Sequence, residues 1–309
     1  MELPQKLIKL YRHWRFHIHD SSRPHKVEDL RKYQSNKTIK EMVEFAHDRM
    51  SIWNKKNGGA TVQYTTDPIF AQYRFCNIFR ELDRQTIEFH TLLNPMREDF
   101  PRWILNMFYF RMVARTETIE KVGLLSFDSQ KNREFLDAFL NSPRPRFGTP
   151  YVFPISTILK SKTPTRETFI AEYLPTIIKR VSREIESWDK KSVYDGLQKI
   201  IPIFGYNLSF LWTEVLIDVA YQYPQYIDLY KRFPVGPGSL PTMKRIEAET
   251  DPTILVQNLA NLNMSAYLTF DNKPIILSAE NWEGIGCEFR KYTNLEAGKG
   301  RRRLFKEKN

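Results

Sequence analysis

The sequence predicts a mainly α-helical fold with long irregular loops, and three observations carry that expectation. Apolar residues recur at helical spacing through most of the chain after Ser35. Pro and Gly punctuate the pattern: Gly58-Gly59 closes the first helical run, and Pro143, Pro145, Pro150 and Pro154 with Gly148 mark one long connection. Strand character is confined to Tyr151-Val152-Phe153, read as a short strand inside that connection.

Taken in order, the first forty residues read as a basic extension, with His13, His17, His19 and His25 among Arg12, Arg15, Arg23 and Lys26. A metal site drawn from His13, His17 and His19 lacks a Cys or clustered carboxylate to complete it, so a surface touching DNA or a partner is the better reading. A helix then runs to Trp53, and a second is expected from Pro68 to about Leu92, with Asp67 as its cap and Pro68 at its first position. Further helical patterns occupy 98–122, 130–141, 166–186, 189–200, 207–222, 239–247, 251–263 and 279–292, the third opened by Thr163-Pro164-Thr165-Arg166-Glu167. The expected organisation is an extension over 1–40, one helical domain over 41–292 and a basic tail over 293–309.

The chain has 309 residues, a formal net charge of +11 and a pI near 9.5, which points to a polyanionic partner, nucleic acid before membrane. The excess is densest where Lys299, Arg301, Arg302, Arg303, Lys306 and Lys308 follow one another, a run that would neutralise phosphates and make binding salt-dependent. Cys76 and Cys287 are the only cysteines, too few for a disulfide framework and not in a C-x-x-C pair. The sequence shows no apolar run of about 18 residues and no leader, so a cytoplasmic protein without membrane association is expected.

The densest stretch for chemistry is 65–84. Read as one helix, it would set Tyr73, Arg74, Asn77, Arg80, Glu81 and Arg84 on one side and Phe75, Ile78, Phe79 and Leu82 on the other. Such a face is either a solvated set of ion pairs or the polar wall of an anion-binding pocket. Two turns stand out as well. Ile200-Ile201-Pro202-Ile203-Phe204-Gly205-Tyr206-Asn207-Leu208-Ser209 joins two helices in the manner of a helix-hairpin-helix, although Ile203 stands where such hairpins usually place their first glycine. Gly236-Pro237-Gly238-Ser239 is expected to use positive φ and close backbone approach, with Ser239 capping the next helix and the N–H groups forming an anion nest.

The order Thr66-Asp67-Pro68-Ile69, Tyr73-Arg74-Phe75-Cys76-Asn77 and Arg80-Glu81-Leu82-Asp83-Arg84 resembles the signature of the alpha-glutamyl/putrescinyl thymine pyrophosphorylases, phage-type amino acid:DNA transferases of thymine hypermodification. Arg49 and Ile52 upstream, and Phe110-Arg111, Thr116-Glu117-Thr118, Asp218, Gly236-Pro237-Gly238-Ser239, Cys287-Glu288-Phe289 and Lys291-Tyr292 downstream, follow in the family's order across roughly 40–303. Arg290 departs from the smaller or acidic residue expected there. The resemblance implies a DNA glycosylase-like helical fold containing the hairpin near 197–222. It also implies a phage-encoded enzyme in an infected bacterial host that displaces pyrophosphate from 5-(pyrophosphoryloxymethyl)uracil in double-stranded DNA with an amine such as an amino acid or polyamine.

That reaction needs a base drawn out of the stack, positive charge for the departing pyrophosphate, and a carboxylate to deprotonate the amine. Arg49, Arg74, Asn77, Arg80, Arg84 and Arg111 are the expected pyrophosphate and base contacts; a bound Mg²⁺ would serve the same end, though no sequence feature requires it. Asp218, in an otherwise apolar run, Asp83 and Glu288 are the expected bases, with the pKa of Asp218 raised by desolvation unless a buried Arg pairs with it. Gly205, Gly236, Gly238, Ser239, Lys291, Arg301, Arg302 and Arg303 are the expected DNA contacts. Cys76 as a covalent nucleophile at C6 is weighed against a buried structural thiol. A helix-hairpin-helix glycosylase, using Asp228 on a modified pyrimidine, and a non-catalytic DNA-binding module are the alternatives.

Overall fold

A computed structural model describes residues 33, 35–58, 64–148, 163, 165–262, 264–270 and 272–299. The expected strand at 151–153, the four N-terminal histidines and Arg301, Arg302 and Arg303 lie outside them. The fold is mainly α and separates into two compact units, one drawn from the two ends of the chain, up to Asp83 and from Leu229 on, the other from Arg84 to Asp228. The boundary between them falls inside the stretch 41–292.

The first unit opens with α1 (Lys37–Asn57), capped by the Asn36 side chain, which accepts from the Ile39 N–H at 3.2 Å. Its buried residues Ile39, Met42, Phe45, Ala46, Met50 and Trp53 keep the three-and-four spacing of one apolar stripe. In α2 (Pro68–Gln72) the Asp67 carboxylate accepts from the N–H groups of Ile69 and Phe70 at 2.7 and 2.9 Å, as the sequence predicts. The long helix expected to follow is absent: Tyr73 turns extended, a 3₁₀ turn occupies Arg80–Leu82, and helix resumes only at Arg84.

The second unit holds α3 (Arg84–Leu93), α4 (Phe100–Val113), α5 (Thr116–Val122) and α6 (Ser129–Leu140). A helical turn Arg166–Thr168 and a π turn Phe169–Tyr173 lead into α7 (Leu174–Glu186), followed by α8 (Val193–Phe204) and α9 (Ser209–Gln222). Every residue of α4 from Trp103 to Val113 is buried, so this helix, apolar all round, forms the centre against α7 and α9. The single helix expected over 98–122 breaks at Ala114, a left-handed residue at φ 50°. There the Val113 and Ala114 carbonyls are taken by the Gly148 N–H at 2.7 Å and the Gln85 amide at 2.9 Å.

One ion pair ties three of these helices. Arg111 of α4 grips Asp218 of α9 through two hydrogen bonds of 2.6 Å, while His90 and Thr86 of α3 add contacts at 3.0 Å to Asp218 and 3.1 Å to Arg111. All four side chains are buried. Burial raises the Asp218 pKa, but the Arg111 charge and the His90 and Arg111 hydrogen bonds outweigh it and hold the carboxyl at about 2. The expected upward shift is therefore reversed, because the apolar run around Asp218 is met from α4 by a guanidinium.

Between α8 and α9 the chain turns at Gly205, which takes φ 85°. Its N–H bonds Ile201 O at 3.0 Å, and the Ser209 N–H turns to Asn207 Oδ1 at 3.3 Å. Gly205 therefore ends α8 as a left-handed cap, and its N–H is not directed outward as the phosphate donor expected of it.

Back in the first unit, α10 (Leu240–Ile246) and α11 (Pro252–Ala260) precede an antiparallel hairpin of β1 (Ser265–Phe270) and β2 (Lys273–Ile276), which pairs Phe270 with Lys273 and Ser265 with Ile276. This hairpin is not among the elements expected from sequence. The last helix, α12 (Ala279–Glu296), starts in a capping box of Ser278 and Asn281 and packs against α1, α2, α10 and α11. At its middle a Cβ on Gly286 would lie 2.4 Å from Ser239 Oγ and 2.5 Å from the Met243 methyl, both of them in fully buried residues.

Replacing Gly286 by Ala sets a helix-propensity gain of roughly 1 kcal/mol against overpacking of about 1–3 kcal/mol, and the variant is expected to have a lower denaturant midpoint than the parent. In the other unit, Asp218→Asn removes the carboxylate charge that faces buried Arg111 and is expected to cost about 3–5 kcal/mol in chemical denaturation. Because the folded pKa of Asp218 is depressed, its stabilisation is complete above its ordinary value of 3.8 and is lost as pH falls toward about 2; acid titration of the parent, but not of Asp218→Asn, should show that step.

Candidate active site

The site grows from the run that fails to become a helix. From Arg74 to Asn77 the peptide groups are bonded by side chains: Lys291 donates to Arg74 O, Arg49 Nη2 to Phe75 O at 3.2 Å, Glu288 accepts from the Cys76 N–H at 3.1 Å, and Asp83 accepts from the Asn77 N–H at 3.2 Å. Asp83 also takes the Asn77 amide at 2.7 Å. Charged partners make these bonds stronger than neutral ones, and together they outcompete the local helical preference. Arg74, Arg80 and Arg84 consequently do not share a helical face. Arg74 is exposed, Arg80 is half-buried, and Arg84 is exposed in the second unit, where it pairs with Glu88 at 2.6 Å.

An aromatic cluster backs the run. Phe45, Phe70, Phe75, Phe289 and Tyr292 pack with centroids 4.9–6.3 Å apart, the Arg49 guanidinium lies 5.3 Å over Phe75, and the Lys291 ammonium 4.5 Å over the same ring. Tyr292 is fixed by a 2.6 Å hydrogen bond to Asp67, so one carboxylate caps α2 and anchors α12. Burial lowers the Arg49 pKa, and its Nε is buried without a hydrogen-bond partner among the described residues.

The turn 236–239 lies directly on α12. A Cβ on Gly238 would sit 2.5 Å from Cys287 Sγ, which is why a glycine is needed there; neither Gly236 nor Gly238 takes the positive φ that the sequence led one to expect. Ser239 makes no side-chain cap, because its hydroxyl points into the packing against Gly286. The Gly236 N–H bonds Glu283 Oε1 at 3.1 Å, so this donor of the expected anion nest is taken by a carboxylate. Arg290, the departure from the family pattern, clamps the turn by donating to Pro237 O at 2.8 Å.

Glu283 is the functional candidate that sequence reasoning missed. Burial pushes its pKa up to about 7 against the Gly236 hydrogen bond and the charge of Arg80, with Glu280 and Glu288 adding repulsion. The residue is half-buried, and it titrates where a general base is most useful. A signal was present in the sequence: Glu280 and Glu283, one turn apart in a helix, lie next to the apolar Trp282 and Ile285.

The three expected bases stand differently. Asp218 is saturated by Arg111 and His90 in the second unit, Asp83 by Asn77, and Glu288 by the Cys76 N–H and by Lys291 at 3.5 Å. Arg111 is committed to Asp218 and is not placed with Arg49 and Arg80 in the first unit. Cys76 is exposed as a residue, yet crowding at its sulfur and the charges of Glu288 and Asp83 push its thiol up to about 12, which leaves little thiolate for attack. Among the described residues no group of three His, Cys, Asp or Glu is arranged to hold a metal ion, and no helix is long and apolar enough to cross a membrane.

No solved structure matches the chain. The 5-hmdU DNA kinase of Bacillus phage SP10 is 28% identical over 129 residues, 38% of this chain and 20% of that relative, so the chain matches about a fifth of the relative's length. The family model described as the helical domain of 5-hmdU DNA kinase matches residues 36–301, which contain the whole site and both units' described helices. On that match, the chain belongs to the 5-hmdU DNA kinase helical-domain family.

Proposed function

We propose that this chain hypermodifies a base in DNA, displacing pyrophosphate from 5-(pyrophosphoryloxymethyl)uracil with an amine or amino acid, in the cytoplasm of an infected bacterium. The observation that carries the reading is Glu283, a carboxylate that titrates at about 7 beside Arg80 and the Gly236 N–H. Family membership supports DNA modification by a phage-type enzyme.

In the proposed step the amine nitrogen forms a bond to the C5 methylene while the carbon–oxygen bond to pyrophosphate breaks. The electron pair leaves with the pyrophosphate, and the proton passes from the amine to the Glu283 carboxylate. Arg80 and Arg49, whose Nε lacks an acceptor among the described residues, supply positive charge for the leaving group. Half-buried Phe75 and Tyr292, with Lys291 over the Phe75 face, offer a stacking surface for a base drawn from the helix at a cost of a few kcal/mol. Glu288, Lys291 and Asp83 hold the run that presents Arg80, so they act as positioning residues.

The test is to incubate the protein with DNA carrying the pyrophosphorylated base and candidate amines, then digest and analyse nucleosides by mass spectrometry. An amine adduct is expected, with Glu283→Gln slower by about 10²–10⁴-fold at unchanged DNA affinity. Because the base acts in its ionised form and its pKa is raised, the rate should climb with pH up to about 7 and then level off. Abasic sites without adduct would favour a glycosylase, and unaltered DNA that is nonetheless bound would favour a binding module.

A further inference from the structure

Charged side chains hold the run from Arg74 to Asn77, but the carbonyl just beyond it is held by a neutral amide. Ile78 O accepts from Asn281 Nδ2 at 3.2 Å, and both residues are buried. The 3₁₀ turn Arg80–Leu82 begins two positions later, led in by fully buried Phe79. Asn281 therefore fixes the backbone immediately before the segment that carries Arg80.

The same amide nitrogen has a second acceptor, Glu280 Oε2 at 2.9 Å, while Asn281 Oδ1 takes the Ser278 N–H at 3.0 Å. These partners permit one orientation of the amide: turned over, its oxygen would face a carbonyl and a carboxylate, and its nitrogen an N–H. A capping box needs only an acceptor at this position, usually from Glu or Gln. The N–H donors that Asn281 sends to Ile78 and Glu280 go beyond that need.

Glu280 is only 5% exposed, yet it is equipped to stay ionised. It also accepts from the Ser278 hydroxyl at 3.3 Å, and it lies in the first turn of α12, where the helix dipole favours an anion. Glu283, one turn later, is raised by burial and by the charges of Glu280 and Glu288, against the Gly236 N–H and Arg80. Of the helices packed on α12, α2 and α11 carry no ionisable side chain, and α10 carries exposed Lys244 and Arg245, the latter paired with Glu41. From α1, the Arg49 charge acts on Glu288 and Asp83. Glu280 is thus a fixed neighbour of the base, and Asn281 holds it.

On the roles given above to Arg80 and Glu283, we propose that Asn281 is a positioning residue for the reaction. It holds the Arg80 segment through Ile78 O and keeps the Glu280 carboxylate one turn from Glu283, so that one amide sets both the leaving-group side and the base side of the site.

Two measurements on the full chain test it. Carboxyl-carbon NMR of glutamate-labelled protein, with the Glu283 signal identified by its loss in Glu283→Gln, follows the Glu283 titration without substrate. The nucleoside assay at about pH 8, where Glu283 is ionised, gives the rate. Asn281→Ala is expected to lower the Glu283 midpoint by about 1 pH unit and to slow adduct formation about tenfold. Glu280→Gln, which retains an acceptor for the Asn281 amide, should lower the midpoint equally and slow the reaction less. A residue serving the helix cap alone would lower the melting temperature of Asn281→Ala and move neither reading. If Asn281→Ala does not fold, Asn281→Ser, whose hydroxyl stays at the cap without spanning to Ile78, gives the same comparison. An active parent whose Asn281 variants keep the Glu283 midpoint or the rate would overturn the role of Asn281 alone; a parent that forms no adduct would overturn the reading of the reaction beneath it.

Discussion

The peptide groups of Arg74–Asn77 must find partners without the help of a regular helix, and that requirement organises the first unit. Four charged side chains meet it: Arg49 from α1, Glu288 and Lys291 from α12, and Asp83 from the end of the run itself. A peptide group left unmatched on burial costs about 1–3 kcal/mol, so these side chains are held in place by the backbone they bond. Glu288, Lys291 and Asp83 are thereby fixed as supports, while Glu283 of α12 bonds the Gly236 N–H instead of this run.

Asp218 and Glu283 show how surroundings divide the roles of two carboxylates. Both lose water, and both would rise in pKa for that reason alone. Asp218 meets a bidentate guanidinium and an imidazole, and falls to about 2. Glu283 receives one backbone N–H and a guanidinium that acts by charge, while Glu280 and Glu288 repel it, and it settles at about 7. The first is a fixed anion that joins helices; the second can exchange a proton under ordinary conditions.

The parts of the fold written in local periodicity were legible in the sequence. The stripe of α1, the Asp67 cap with Pro68, and the all-round apolar α4 each follow from a few neighbouring residues. What escaped depends on partners far along the chain. Residues 73–79 have good helical spacing, and two of the four side chains that bond the extended form, Glu288 and Lys291, lie more than two hundred residues away. Asp218 likewise looked like a desolvated base until Arg111, 107 residues earlier, was placed against it. The β1–β2 hairpin is a different case: Ala266-Tyr267-Leu268-Thr269-Phe270 followed by Asp271-Asn272 is a local strand and turn signal, with Asn272 at φ 60°, and it went unread. Family resemblance drew attention to residues 65–84 and 287–292, which the structure brings together, but not to the hydrogen bonds that join them.

The expected pocket was basic, whereas the site is mixed, with Arg49, Arg80 and Lys291 among Asp83, Glu283 and Glu288. On the proposed reaction that mixture has a purpose in the order of events. With Glu283 protonated the site carries a positive excess and favours the pyrophosphate ester; a bound anion would raise the Glu283 pKa further and keep it so. An incoming ammonium acts in the opposite sense, lowering that pKa until the carboxylate ionises and can receive a proton from the amine. Long-range attraction of DNA does not depend on this balance, because it comes from the +11 spread over the chain, outside the site as well as within it. A basic surface can thus gather the polymer while a nearly neutral site keeps the freedom to change its charge as each substrate arrives.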